Sequence, residues 1–366
     1  MSILIFIVIL LVLVLVHEFG HFFTAKRFGI RVDEFGFGFP PKLFGKKFGE
    51  TEYTLNLLPL GGFVRIYGET PDEENMKGPD AARSFVNKAK WKQALVLSAG
   101  IFANFLLAWF LLAVCFISGL PTSTDSAIAG NQLSDVHVVV VSVVPKSPAE
   151  KAGLKTGDKI ITITDGKNST TYISPETIQS FVVGSAGKEI DIGYTRGQNS
   201  QTNIAKVVPV ENMNDNKFEI GIAMDTIGTA KLPFFSAIFE GLRLAWSLAK
   251  ETLSGLYTLI VQGLHGKGDL NSVTGPVGMV GIVGDAYSFG FVYLLSFVAL
   301  ISINLAVINL FPFPALDGGR LFFLLIEKIK GSPINPKVAN TVNTIGFCIL
   351  ILLMIVITYH DVVKLF

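Results

Sequence analysis

Four stretches of this 366-residue chain are apolar over roughly the 20 residues that a bilayer-spanning helix needs. That restricts the chain to a bundle of membrane helices, because backbone in lipid must satisfy its own hydrogen bonds. The stretches cover about 2–23, 95–120, 291–311 and 344–358, the last extending backwards through Val338 and Val342. Composition agrees, since half the residues are hydrophobic and only 16% are charged, where soluble domains carry about 25%. A formal net charge of +1 gives no reason to expect nucleic acid as a partner. Residues 1–16 hold no basic residue and no cleavage site follows them, so the first stretch reads as a retained helix rather than a signal peptide. Cys115 and Cys348 both fall in apolar stretches and read as small buried hydrophobes.

The first stretch ends on His17-Glu18-Phe19-Gly20-His21. Ionisable residues in a membrane helix are costly and mark a site. Histidines four apart share one helix face and can hold one zinc ion, and a glutamate between them can act as general base toward water. The bland alternative is a helix end whose polar residues snorkel to the interface. A catalytic zinc site also needs a third protein ligand and an open position. His137, His265 and His360 have no intramembrane company: they open a strand, sit in a Gly-rich loop and follow the last stretch. Asp317 is the better candidate. Pro312 and Pro314 must break the third helix just before it, and Gly318 and Gly319 allow close backbone approach or positive φ. Asp317 could also cap a helix over 321–329.

Elsewhere, 52–67 alternates around Pro59 to Gly62 and predicts a β-hairpin held at membrane depth, with a glycine–aromatic run upstream at 35–40. A polar surface loop is expected over 69–80. Residues 136–225 change character to short β-branched runs with turns at Asp165-Gly166 and Arg196-Gly197, which predicts a soluble α+β domain. Residues 234–264 are helical and amphipathic, suited to lie on the membrane or beside the spans. Basic residues cluster between the first and second stretches (Lys26, Arg27, Lys88, Lys90, Lys92) and between the third and fourth (Arg320, Lys328, Lys330). Both connections are therefore expected on the cytoplasmic side, with 121–290 opposite.

HEFGH closing the first span, together with Asn309-Leu-Phe-Pro-Phe-Pro-Ala-Leu-Asp317-Gly-Gly near the end of a late one, resembles the site-2 protease family of intramembrane zinc metalloproteases, in its RseP-like bacterial branch. Residues 147–158 (SPAEKAGLKTGD) resemble a PDZ domain, 55–69 the family's membrane-associated hairpin, and 274–282 the segment leading into its third span. The resemblance implies a polytopic α-helical membrane protein of about four transmembrane helices, with a membrane-associated β-hairpin (about 52–68) and one inserted α+β PDZ domain. Its parts are 1–120, the first two spans and the hairpin; 121–228, an extracytoplasmic PDZ domain; 229–290, an amphipathic helix and connecting segment; and 291–366, the last two spans. It further implies zinc held by His17, His21 and Asp317, Glu18 as base, and Asn309 against the substrate backbone. The expected activity is that of a zinc metalloendopeptidase in a bacterial inner membrane, its active site toward the cytoplasm. The expected substrates are single-pass membrane proteins pre-cut by another protease, such as anti-sigma factors or signal-peptide remnants. A PDZ scaffold without activity and a metal transporter are the competing classes. There is room for one PDZ domain, where the best-known bacterial members have two.

Overall fold

The computed structural model describes residues 1–70, 73–124, 133–166, 168–197, 199–212, 217–266 and 273–364. In chain order, helix α1 (Ser2–Arg27) leads into strands β1 (Val32–Phe48) and β2 (Thr51–Ile66), the short helix α2 (Glu73–Lys77) and helix α3 (Lys90–Ser118). Strands β3 (Leu120–Ser123) and β4 (Ser134–Val143), helix α4 (Pro148–Lys151), strands β5 (Lys159–Thr164) and β6 (Ser169–Thr170), and helix α5 (Pro175–Gly184) follow. Next come β7 (Ile190–Arg196), β8 (Asn199–Val207), β9 (Val210–Asn212), β10 (Lys217–Glu219) and β11 (Ile222–Ala230). Helices α6 (Phe234–Leu264), α7 (Pro276–Phe289), α8 (Phe291–Leu310), α9 (Asp317–Lys330) and α10 (Pro336–Lys364) complete the chain. Among the described residues, α1, α3, α8 and α10 are long and apolar enough to cross a membrane, in agreement with the four apolar stretches.

These elements form two compact units. One takes Met1–Leu112, Gly241–Val283 and Phe297–Phe366; the other takes Ala113–Glu240 and Gly284–Ser296. The second unit thus includes the end of α7 and the start of α8, which the sequence boundaries assign to other segments.

In the helical unit, α3 and α8 pack through Ala108, Leu112, Ala299 and Ile303, and α6 lays Leu244, Ala245 and Leu248 against them. Thr252 of α6 donates to Asn304 Oδ1 on α8 at 2.8 Å, and Ser302 donates to the Asn104 backbone carbonyl at 2.8 Å. So α6 packs beside the spans instead of standing apart from them. A second core joins Ala25 of α1, Ile30, Val32 and Ile66 of the sheet, Phe85, and Val96 and Leu97 of α3.

The β-sheet of this unit differs from the expected hairpin. The two arms of β2 do not pair with each other. Residues 34–37 of β1 lie between them: Phe35 faces Tyr53 on one side and Val64 on the other, and Gly36 faces Thr54 and Phe63. The second half of β1 then pairs with the outer edge, with Lys46 opposite Tyr53 and Phe44 opposite Leu55. The glycine–aromatic run of 35–40 is therefore a central strand arm, and the reason is backbone pairing. An extended arm with two neighbours satisfies donors on both edges, which matters where water is scarce. The sheet is tied to the end of α1 at the turn between β1 and β2, where Glu50 pairs with Lys26 (2.5 Å) and Arg83 (2.6 Å).

The second unit holds a seven-stranded sheet of order β3-β11-β4-β5-β7-β8, with β6 on β5. Its core gathers Val138, Val140, Leu154, Ile163, Ile178, Ile190 and Ile192, so the period-two pattern of the strands and the inner face of α5 meet. Ser147 and Ser174 cap α4 and α5 by accepting from the amides of Glu150 and Thr177. Strands and short helices thus make this an α+β unit.

Two smaller expectations fail. Cys115 is buried, but Cys348 is exposed on α10, on a helix whose surface carries Phe347, Leu352 and Ile355. Glu69 belongs to no surface loop, since it is half-buried and pairs with Arg320 of α9.

Candidate active site

The site is built from two helix ends. The i, i+4 spacing on α1 turns His17 and His21 to one face, and their ring centroids stand 4.7 Å apart. Asp317 arrives from the start of α9. Its carboxylate Oδ2 lies 3.0 Å from His17 Nε2 and 3.2 Å from His21 Nε2, and the two Nε2 atoms are 3.1 Å apart. Among the described residues, this is the one group of three His, Cys, Asp or Glu side chains whose ligand atoms converge closely enough for a metal ion.

Protonation decides what the triangle means. His21 Nδ1 donates to the Val96 carbonyl of α3 at 2.8 Å, so a neutral His21 presents a lone pair at Nε2. Asp317 Oδ2 is buried without a hydrogen bond despite its two close nitrogens. The His21 lone pair and the Asp317 oxygen therefore face one point together with His17 Nε2, an arrangement that a cation there would hold together. Donor atoms about 2.0–2.1 Å from a tetrahedral zinc lie roughly 3.3 Å from each other, close to the observed triangle. Two imidazoles, one carboxylate and an open fourth position are a catalytic donor set. The residues present fit zinc.

The backbone around Asp317 explains its placement. Helix α8 stops at Leu310, and the prolines that follow keep 311–316 out of helix. Positive φ falls on Ala315 (74°) and not on the two glycines. Gly318 and Gly319 serve close approach instead: a Cβ on Gly318 would meet the Leu310 carbonyl at 2.3 Å, and one on Gly319 the Phe313 carbonyl at 2.2 Å. The broken end of α8 is thereby folded back against the start of α9. Leu316, not Asp317, is the N-cap residue, and Asp317 opens the helix with its side chain turned to the histidines.

A cavity of about 280 Å³ adjoins the triangle, lined by Glu18, Phe63, Val64, Glu69, Ala315 and Arg320 together with the three donor residues. Glu18 lies on α1 beside the β2 arm, whose Val64 backbone faces its carboxylate. Asn309, in the last turn of α8, does not line this cavity. Sequence reasoning missed Gly100, on which a Cβ would stand 2.3 Å from His21 Nε2 and 2.8 Å from His17 Cε1. It also missed the partner of Gly20, where a Cβ would meet the Ala99 carbonyl at 2.4 Å. The available signal was a run of small residues, Ser98-Ala99-Gly100, in an otherwise bulky span.

Comparison with known proteins places the chain. The model of Peptidase family M50 matches residues 5–353. The chain belongs to this family. Among family relatives, the zinc metalloprotease RasP of Shouchella clausii is 32% identical, covering 100% of this chain and 99% of its own. The regulator of sigma-W protease RasP of Bacillus subtilis is 32% identical (99% and 98%), and the regulator of sigma-E protease RseP of Escherichia coli is 31% identical (98% and 98%). A solved PDZ domain of an SdrC-like protein from Listeria monocytogenes is 26% identical over 24% of this chain and 86% of that one, with a TM-score of 0.21. On the family match, the M50 chain described here is a polytopic membrane zinc metalloprotease, and zinc is its cofactor.

Proposed function

We propose that His17, His21 and Asp317 hold the zinc, that Glu18 is the general base, and that a peptide bond within a membrane-embedded segment is hydrolysed there. The convergence of three donor atoms from opposite ends of the chain carries this reading. When bound, zinc supplies Lewis acidity toward a carbonyl and makes water acidic. Glu18 takes the proton from water and hands it to the departing amine, so one carboxylate serves both halves of the hydrolysis. Val96 fixes the His21 ring through Nδ1, and Gly100 leaves room for both rings. Asn309 is assigned to the substrate backbone, which it would reach with substrate seated beyond the cavity.

A helical peptide bond is shielded by its own hydrogen bonds, so the substrate segment must be extended before it is cut. The β2 arm that lines the cavity offers strand pairing for that step. Proline replacements along residues 62–65 should lower cleavage while zinc content stays constant.

The substrates are assigned as single-pass membrane proteins already shortened by another protease, of the anti-sigma-factor or signal-peptide-remnant type. The sigma-W and sigma-E regulator names of the RasP and RseP relatives support this class. The basic residues flanking the spans support an active site toward the cytoplasm and a PDZ domain on the other side of a bacterial inner membrane.

The deciding experiment measures zinc content and cleavage of a model transmembrane substrate. Glu18→Gln should keep zinc and lose about 10²–10⁴-fold in rate. Asp317→Asn should lose both. Full cleavage by Glu18→Gln would sink the assignment.

A further inference from the structure

The helical unit contains a second, larger cavity that the chemistry above does not use. It measures about 660 Å³, within the range of ligand sites, and shares Glu69, Leu97 and Arg320 with the catalytic cavity. Glu69 and Arg320 form an ion pair where the two cavities meet. From there one stripe of α9 runs along the larger cavity: Arg320, Phe323, Leu324 and Glu327 recur at i, i+3, i+4 and i+7. At the far end Glu327 pairs with Lys90 of α3 and accepts from the Ile334 amide at 3.0 Å. The mouth lies at the connection between α9 and α10, where Asn335 and Asn340 are exposed.

We propose that this cavity is a polypeptide-binding chamber, entered past the Glu69–Arg320 pair, which holds the substrate stretch on the amino-terminal side of the scissile bond. The inference rests on peptide hydrolysis at the His17–His21–Asp317 centre. Three properties carry it. The chamber shares Glu69, Leu97 and Arg320 with the catalytic cavity, so chain leaving the reacting bond on that side meets it first. Its lining combines apolar side chains (Phe85, Leu97, Phe323 and Leu324) with side-chain amides at the mouth, which suits an extended chain that presents apolar side chains and backbone amides together. Its charged lining comprises the cations Lys90, Arg320 and Lys330 against the carboxylates Glu69 and Glu327. That surplus of one positive charge favours the fragment whose new terminus is a carboxylate, and hydrolysis leaves that carboxylate on the amino-terminal fragment.

The test uses full-length protein in detergent, carrying Glu18→Gln to trap a model transmembrane substrate. A photoreactive benzoylphenylalanine replaces Phe63 in the catalytic cavity, Phe323 in the chamber, or Asn340 at its mouth. Adducts are expected from all three positions. Those from 323 and 340 should map to substrate residues amino-terminal to the bond. Adducts at 63 with none at 323 and 340, or adducts at 323 and 340 that map to the other side, overturn the chamber and leave the protease assignment standing. Absence of adducts at all three, together with no cleavage by otherwise unaltered enzyme, overturns the protease assignment itself. In active protein, Asn340→Trp should raise KM about tenfold with kcat within twofold and zinc content unchanged. A fall in kcat at constant KM would mean that the chamber only conducts water, and would overturn the proposal.

Discussion

Asp158 in the seven-stranded unit and Asp317 in the helical unit are both carboxylates drawn into the protein, and their surroundings treat them in opposite ways. Asp158 is fully buried and saturated: it accepts from Arg196 Nε at 2.7 Å, Arg196 Nη2 at 2.8 Å and the Lys155 amide at 2.8 Å. The same contact raises the affinity of the Arg196 guanidinium for its proton. Asp317 faces two imidazole nitrogens and finds no donor for Oδ2. A buried charge whose partners are complete stabilises one fold. A buried charge left short of partners reserves a place for something the chain does not itself supply. The number of donors around each carboxylate, more than its depth, separates framework from site.

The sharpest way to break this comparison is metal removal. Dialysis against a zinc chelator should abolish cleavage completely and zinc should restore it, while the seven-stranded unit resists proteolysis equally in both states; persistent cleavage at zero zinc would put Asp317 back among structural carboxylates. Next in size is Gly100→Ala. Crowding both imidazoles should weaken zinc affinity about 10–100-fold, as loss of an outer-shell support does, measured by competition with a chelating dye. Asp158→Ala should act on stability alone. Stripping the partner from Arg196 costs about 3 kcal/mol, the low end for a buried pair because Arg196 is 36% exposed. Pulse proteolysis in urea should show this loss with zinc still bound. The smallest effect belongs to Asp361, which accepts from the amides of Gly275 (3.1 Å) and Gly278 (2.8 Å) and so caps α7 from a helix remote in sequence. Asp361→Ala should cost about 1 kcal/mol, as caps do, and leave zinc content unaltered.

Much of this architecture was legible because its signals are local. Span length, the His17–His21 spacing, the proline break and the strands of the seven-stranded unit each depend on residues close in sequence, and each appears as expected. Asp317 was legible from chemistry, as a carboxylate at a broken membrane helix, although a capping role was equally open to it until Leu316 proved to be the N-cap residue. The sheet was not, because nothing within residues 52–67 records that residues 34–37 will enter between the two arms. The contact of Gly100 with residues 79 and 83 positions earlier, and the pairing of Glu69 with Arg320, left no pattern beyond a small residue and two charges. Ala315 shows the same limit from another side. Of the two roles open to Gly318 and Gly319, close backbone approach and positive φ, they take the first against carbonyls, and the positive φ falls on the neighbouring Ala315, which no residue type signalled.

The distance in sequence between the two halves of the site has a consequence for biosynthesis. At roughly 5–20 residues per second, a ribosome that has released His21 needs about 15–60 s more to deliver Asp317. Throughout that interval the first helix can be in the membrane among other membrane proteins, holding two of the three side chains whose donor atoms converge in the finished fold. On the zinc assignment proposed above, a half-made chain is harmless to its neighbours, and so is any product of premature termination before the last two spans.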